Sequence, residues 1–350
     1  MRRKSAYLLL IAMISVAPLS GAPQRHKVIF DTDFVFPPQD DAMALIFALN
    51  CPELEILGIT TVAGNKNVER ATVDALKVLE IAGRDDIQVF RGANRPLVHE
   101  KDDFAVKAYG GWWSDEPAPA PPGGFAKKKA EPGTAVDFIV HTVMQNPGQI
   151  TILAIGPLTN IAMAIRMEPA FARNVKQLVI MGGAIASVPD GGGNVTPNAE
   201  FNFWVDPEAA KVVLRSGIPI ILSPLNVSRK TKFTKEWYEK IVVVDTPLTR
   251  VIKERLGSYF QKNPDRVSFM YDQVAAATLI DPTLMKTAEL FVDVDINHDL
   301  NYGVSVGGKQ SWPGAERSQK IVVQYDLDWD RFINLFVERV TRQGISQAIR

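Results

Sequence analysis

The 350-residue chain has one cysteine, Cys51, and four histidines, and it has no excess of charge: 39 Lys and Arg balance 39 Asp and Glu. A lone cysteine excludes an intramolecular disulfide and any structural zinc site built on thiolates, so Cys51 reads as a buried small hydrophobe. Zero formal charge removes a general attraction to nucleic acid or an anionic membrane, which leaves a small molecule as the default partner. The apolar run at residues 7–17 falls short of the roughly 20 residues of a membrane-spanning helix. It follows Arg2, Arg3 and Lys4 and precedes Ser20, Gly21 and Ala22, the pattern of a cleaved secretory signal over residues 1–22. Residues 23–350 are then a mature domain exported to a periplasm or the medium. The histidines form no catalytic set: His26 adjoins the signal, His99 and His141 fall in a loop and a helix pattern, and His298 in a polar turn.

What is present is alternation. Apolar, β-rich runs at 27–30, 54–62, 87–90, 150–155, 177–181 and 218–223 are separated by helical spacing at 41–49, 68–81, 135–144, 158–166 and 207–215. Continuous apolar strands alternating with helices predict an α/β domain with a mostly parallel sheet covered on both faces. Residues 112–132, rich in Pro, Gly and Lys, predict a long surface loop. Past residue 244 the pattern turns more helical, then predicts late strands at 290–295, 303–306 and 320–327 and a closing helix at 329–341. In such sheets ligands sit beyond the carboxyl ends of the strands, so the polar residues there are the candidates.

The first strand runs into Asp31, Asp33, Asp40 and Asp41, four carboxylates expected to converge near one strand end. Such a set repels itself unless a cation is present, and oxygen ligands suit a hard ion such as Ca²⁺ or Mg²⁺. Helix capping alone would account for Asp40 and Asp41. The second strand ends in Gly64 and Asn65, a turn or a close approach of backbone to ligand. The fourth ends in Gly156-Pro157-Leu158-Thr159-Asn160, and the fifth in Met181-Gly182-Gly183, followed by a glycine-rich loop to Asn194, Glu200 and Asn202. On extended backbone Glu200 and Asn202 would face one side, fit either for a polyhydroxyl ligand or for a hydrogen-bonded loop.

Taken in order, Asp31-Thr32-Asp33, Asp40-Asp41, the run from Ile59 to Asn65, Gly156 to Ala162, Met181-Gly182-Gly183, Asn198 to Asn202, Asp206 to Ala210, and Asp272 with Ile280-Asp281-Pro282 resemble the inosine-uridine-preferring nucleoside hydrolase family. The resemblance implies one large domain with a Rossmann-like sheet, and hydrolysis of the bond between ribose and nucleobase. It implies Ca²⁺ held by the side chains of Asp33, Asp41 and Asp272 and the backbone carbonyl of Ile155. In the family this ion also holds the ribose 2′ and 3′ hydroxyls and a water whose proton goes to the carboxylate matching Asp33. Asp40, Asn65, Met181, Asn194, Glu200 and Asn202 fall on positions that hold or line the ribose. Assembly as a homodimer or homotetramer is also implied.

The chain departs from the family pattern in three places. Six residues separate Asp33 from Asp40 where three are usual, so this loop either bulges over the site or reshapes the pocket. Tyr271 stands where a histidine often donates a proton to the leaving base; a phenol, with an ordinary pKa of about 10, donates less readily. Trp112 and Trp113 occupy a loop where a histidine often nears the base, and either stack on that base or pack on the scaffold. Two rivals remain open. One is an exported nucleoside or sugar receptor of the same fold without turnover. The other is a haloacid-dehalogenase-like phosphatase, disfavoured because the chain contains no Gly-Asp dipeptide for the later acidic pair.

Overall fold

The computed structural model describes residues 25–101, 103–109 and 116–342; the expected signal segment, Trp112 and Trp113 lie outside the described residues. The elements in chain order are β1 (His26–Thr32), α1 (Asp40–Leu49), β2 (Leu54–Thr61), α2 (Val68–Ala82), β3 (Gln88–Arg91), α3 (Asp103–Tyr109), α4 (Ala135–Gln145), β4 (Ile150–Ala154), α5 (Thr159–Met167), α6 (Phe171–Asn174) and β5 (Gln177–Met181). The chain continues through α7 (Phe201–Val205), α8 (Pro207–Leu214), β6 (Ile220–Ser223), α9 (Leu225–Ser228), α10 (Lys235–Val242), α11 (Pro247–Lys262), α12 (Asp272–Ala277), β7 (Met285–Val294), β8 (Ser305–Gly308), β9 (Lys320–Leu327) and α13 (Trp329–Val340).

Among the described residues one sheet joins nine strands in the order β3-β2-β1-β4-β5-β6-β9-β7-β8. Its first seven strands are parallel, and only β7 runs against its neighbours β9 and β8. Every residue of β4 is buried, because helices cover both faces and leave no solvent side to mark with polar residues. On one face Phe47 of α1 packs against Phe336 of α13, ring centres 5.3 Å apart. On the other, α4, α5 and α8 bury Ile139, Ile161 and Val213.

The chain steps outward from β1 through β2 to β3, then returns to place β4 on the other side of β1. That reversal opens a crevice at the carboxyl ends of β1 and β4, where the loops diverge to opposite faces. The long loop after β1 is anchored in the core at its start, while its end, Pro38 and Gln39, lines a cavity beside this crevice. Phe34 and Phe36 are buried in the core, and the Phe36 amide donates to Asp74 Oδ2 at 3.2 Å. Apolar burial takes up the first part of the insertion only, and Asp33 and Asp40 remain neighbours.

Where the sequence predicted bounds, the observed elements agree within a residue or two, apart from the start of β7; α3, α6, α7, α9 and α10 were not foreseen, and α11 and α12 fall in the region read only as more helical. Strand β7 begins at Met285 rather than 290, since its exposed Lys286, Thr287 and Glu289 hide the strand pattern. Cys51 is buried and free, and burial pushes its thiol up to about 12, as expected of a small hydrophobe. His99 is a packing residue, edge-on to Trp204 and Tyr302 at 5.0 Å.

Candidate active site

Asp33 follows β1 directly and is completely buried. Its Oδ2 accepts the Asn65 backbone N–H at 2.6 Å, while its Oδ1 is buried with no hydrogen-bond partner. Two glycines make room for it. A β-carbon on Gly64 would lie 2.2 Å from Asp33 Oδ2, and one on Gly156 would lie 2.8 Å from Oδ1. Gly64 thus serves close approach to a side chain of the site, where sequence reasoning left open a turn or an approach to ligand.

Asp31 does not join the cluster expected at this strand end. Its Oδ1 accepts Thr60 Oγ1 at 2.5 Å and Asn160 Nδ2 at 2.8 Å, and Asn160 in turn receives the Ala93 amide at 2.9 Å. Those bonds tie β1, β2 and α5 together beneath the crevice. The fourth carboxylate comes instead from α12: oxygens of Asp40, Asp41 and Asp272 all lie within 4.8 Å of one another. Asp41 accepts Thr32 Oγ1 at 2.6 Å and Asn65 Nδ2 at 3.2 Å, so Asn65 bridges Asp33 and Asp41 with its backbone and its side chain.

Helix starts place three of the carboxylates. Asp40 and Asp41 occupy the first turn of α1, and Asp272 that of α12, where the helix dipole favours negative charge. Glu200 caps α7, accepting the amides of Asn202 at 2.9 Å, Phe203 at 3.1 Å and Gly183 at 2.8 Å. This corrects the extended geometry expected for Glu200 and Asn202: a side chain that satisfies free amides at a helix start favours the helical turn. Asn202 Nδ2 instead donates to the carbonyls of Ile155 and Met181, each at 3.2 Å. Asn194 Oδ1 accepts the Phe201 amide at 2.9 Å.

Above this floor lies a pocket of about 210 Å³, lined among others by Asp40, Asn65, Ile155, Met181, Asn194, Glu200, Asn202, Tyr271 and Asp272. Sequence reasoning named all nine, although Val195 and Phe201, which also line the pocket, it missed. Val195 lies in an irregular stretch and Phe201 opens the five-residue α7, too short for a pattern to expose it. Drug-sized ligands occupy upward of about 300 Å³, so this pocket suits a single small ring. Asp40 and Tyr271 also line a second, larger cavity beside it.

Burial dominates the electrostatics. It pushes Asp33 up to about 7, partly offset by the Asn65 amide. Asp41 and Asp272 are held well above the carboxylate range, first by burial and then by the neighbouring carboxylates; burial also raises Asp40 and Glu200. The Tyr271 hydroxyl is raised by burial and then by Asp40. Mutually repelling buried carboxylates, one oxygen without a partner and an all-oxygen donor set fit a hard cation.

The family profile described as inosine-uridine preferring nucleoside hydrolase matches residues 28–334. The chain is 34% identical to the pyrimidine-specific ribonucleoside hydrolase RihA of Citrobacter koseri, covering 89% of this chain and 97% of that one. It is 33% identical to RihB of Escherichia coli, covering 87% and 95%. Among solved structures, a plant nucleoside hydrolase superposes with a TM-score of 0.77 at 31% identity, covering 91% of this chain and 99% of its own. An acidic pocket at the strand reversal and matches of this length agree: the chain is a hydrolase of N-glycosyl compounds belonging to the inosine-uridine preferring nucleoside hydrolase family.

Proposed function

We propose that the protein is an exported, calcium-dependent N-ribosyl hydrolase that splits ribonucleosides into ribose and free base, with Asp33 as the general base. The observation that carries the reading is the unpartnered, buried Asp33 Oδ1 beside the Asp40, Asp41 and Asp272 carboxylates, under a pocket sized for one ring. Asp33, Asp41 and Asp272 would hold Ca²⁺ together with the Ile155 carbonyl, which keeps a second lone pair after accepting from Asn202. When bound, Ca²⁺ supplies the charge that neutralises these carboxylates, orients the ribose hydroxyls and acidifies a water.

The remaining chemistry belongs to the chain. Asn65 fixes Asp33 Oδ2 with its backbone amide, leaving Oδ1 to take a proton from the attacking water. Asp40, Glu200 and the cluster carboxylates place negative charge around a sugar that becomes positive as the C1′–N bond breaks. Asn202, Asn194 and Asn65 supply amides for ribose hydroxyls, with Met181 as an apolar wall. Tyr271 faces the departing base as a candidate proton donor, with Trp112 and Trp113 as candidate stacking partners.

Product analysis over a panel of ribosides tests the reading. Free ribose and base support it, whereas recovery of intact, tightly bound nucleoside overturns it in favour of a receptor. The charged start, apolar run and small residues at positions 1–22 support export, checked by N-terminal sequencing of the secreted product. A homodimer or homotetramer is expected, to be read by sedimentation.

A further inference from the structure

The second cavity, about 630 Å³, opens beside the ribose pocket, with Asp40 and Tyr271 at their junction. Its walls include the aromatic residues Phe233, Tyr259 and Phe269, and they also carry Arg255 of α11 and Arg266 from the turn after it. The Arg266 guanidinium lies 5.8 Å from the centre of the Tyr259 ring. Among the described residues neither guanidinium has a carboxylate at ion-pair distance, whereas Arg250 on the same helix is paired with Asp245 at 2.6 Å. Arg255 does sense the buried Asp74, but that carboxylate is already bonded to Arg70 at 2.7 Å.

The two cavities together form an axis of charge. Asp40, Asp41, Asp272 and Glu200 cluster at the ribose pocket, and the larger cavity is lined by two exposed arginines that form no ion pair among the described residues. Cleavage moves electrons along this axis. The C1′–N bond breaks and its pair stays on the base nitrogen, while a water oxygen bonds C1′ and passes its proton to Asp33. The base leaves with one negative charge and takes a proton from solvent after release. A field with cations at the base end favours that charge separation.

We propose that this cavity receives the nucleobase and selects bases that depart as anions, dioxopyrimidines or dioxopurines that spread charge over two carbonyls, with Arg255 and Arg266 as the specificity-determining residues. The inference rests on the ribohydrolase reading and adds the class of base to it. Positive charge on the wall of the base cavity would stabilise the leaving group, so activation does not depend on a proton donor alone. Planar guanidinium groups also suit paired carbonyl oxygens, and Tyr259 and Phe269 offer faces for the ring.

Uridine and cytidine, which differ in the oxo or amino group at ring position 4 and in the proton on the adjacent N3, provide the test. We expect the ratio of their kcat/KM values to favour uridine in the wild type. In the Arg255→Gln, Arg266→Gln double variant that ratio should fall by at least about tenfold, and raised ionic strength should lower the wild-type ratio. Arg→Lys at both positions, which keeps the charge, should retain most of the preference. A ratio in the double Gln variant within about twofold of wild type overturns the inference, as does a Lys variant no better than the Gln variant, which would assign the effect to shape. If the wild type splits no riboside, the ribohydrolase reading falls first and takes this inference with it. If it splits both with an unmoved ratio, only this inference falls.

Discussion

Gly64 and Asp33 are in such close contact that a β-carbon on Gly64 would lie 2.2 Å from Asp33 Oδ2, the oxygen that accepts the next residue's amide. No rotation of a methyl group relieves an overlap of that size, so the carboxylate or the backbone must shift. Gly64→Ala should therefore cost about a hundredfold in kcat/KM, the scale on which a misplacement of about 1 Å is felt in catalysis. Circular dichroism should show the fold retained. A variant with near wild-type turnover would mean that Asp33 does not need this position.

Asp33 and Asn202 should fail in different ways. Replacing Asp33 with Asn removes a proton acceptor that acts on water, so kcat should drop by about 10²-fold or more while KM stays within a few-fold. Asn202 bonds the Ile155 and Met181 carbonyls and faces the ribose pocket, so Asn202→Ala should raise KM as well. Steady-state kinetics on one good riboside decides the matter. Equal losses in kcat with unchanged KM for both would remove this division of roles.

Why the sequence revealed some of this and hid the rest has physical causes. The parallel sheet was legible because strands buried on both faces read as unbroken apolar runs, as at β4. Asp33, Asp40 and Asp41 were legible because three acids so near one strand end have few structural uses. Asp31 misled, since adjacency along the chain says nothing about direction, and its carboxyl serves Thr60 and Asn160 instead. Asp272 lies 231 positions beyond Asp41, and only the resemblance to a family joined them. The geometry of Glu200 and Asn202 was hidden because α7 has five residues, too few for helical periodicity to show. Arg255 and Arg266 carried no signal either, because isolated arginines in a helical, polar region read as solvated surface.

Metal removal should affect folding as well as turnover. Four carboxylates meet at this site; burial raises all four, and neighbouring carboxylates add to the rise of Asp33, Asp41 and Asp272. Exhaustive chelation should abolish activity and lower Tm, and Ca²⁺ should restore both, with stabilisation growing as RT ln(1 + [Ca²⁺]/Kd). Stripped protein that keeps full activity would refute a metal-assisted reaction.

Asp206 offers a pH test away from the cluster. Burial raises its carboxyl from 3.8 to about 6, although Thr159 Oγ1 and the amides of Ala209 and Leu97 donate to it and favour the charged form. A folded-state pKa above the unfolded one means that the proton contributes stability that is complete below about pH 4 and lost as pH rises through 6. Asp206→Asn should be less stable at every pH because an amide cannot accept all three bonds. Its deficit relative to wild type should shrink between pH 4 and 6 by up to about 2 to 3 kcal/mol. Urea denaturation at several pH values measures this. A deficit that grows with pH would show that the hydrogen bonds outweigh burial and that Asp206 is held ionised.

Tyr271 bears on how the base leaves. Its ring stands at the junction of the two cavities, and burial and the Asp40 carboxylate hold its hydroxyl protonated. A phenol in that setting keeps its proton until the departing nitrogen becomes strongly basic, so its help should depend on the leaving group. Inosine, whose base leaves with a basic nitrogen, should lose about 10- to 100-fold in kcat on Tyr271→Phe. A nitrophenyl riboside, whose phenolate needs no proton, should lose little. Phe preserves the ring and its contact with Phe269, 6.2 Å away, so the difference isolates the hydroxyl. Equal slowing of both substrates would mean that Tyr271 positions the ribose or shapes the junction, and proton delivery would then have to come from elsewhere.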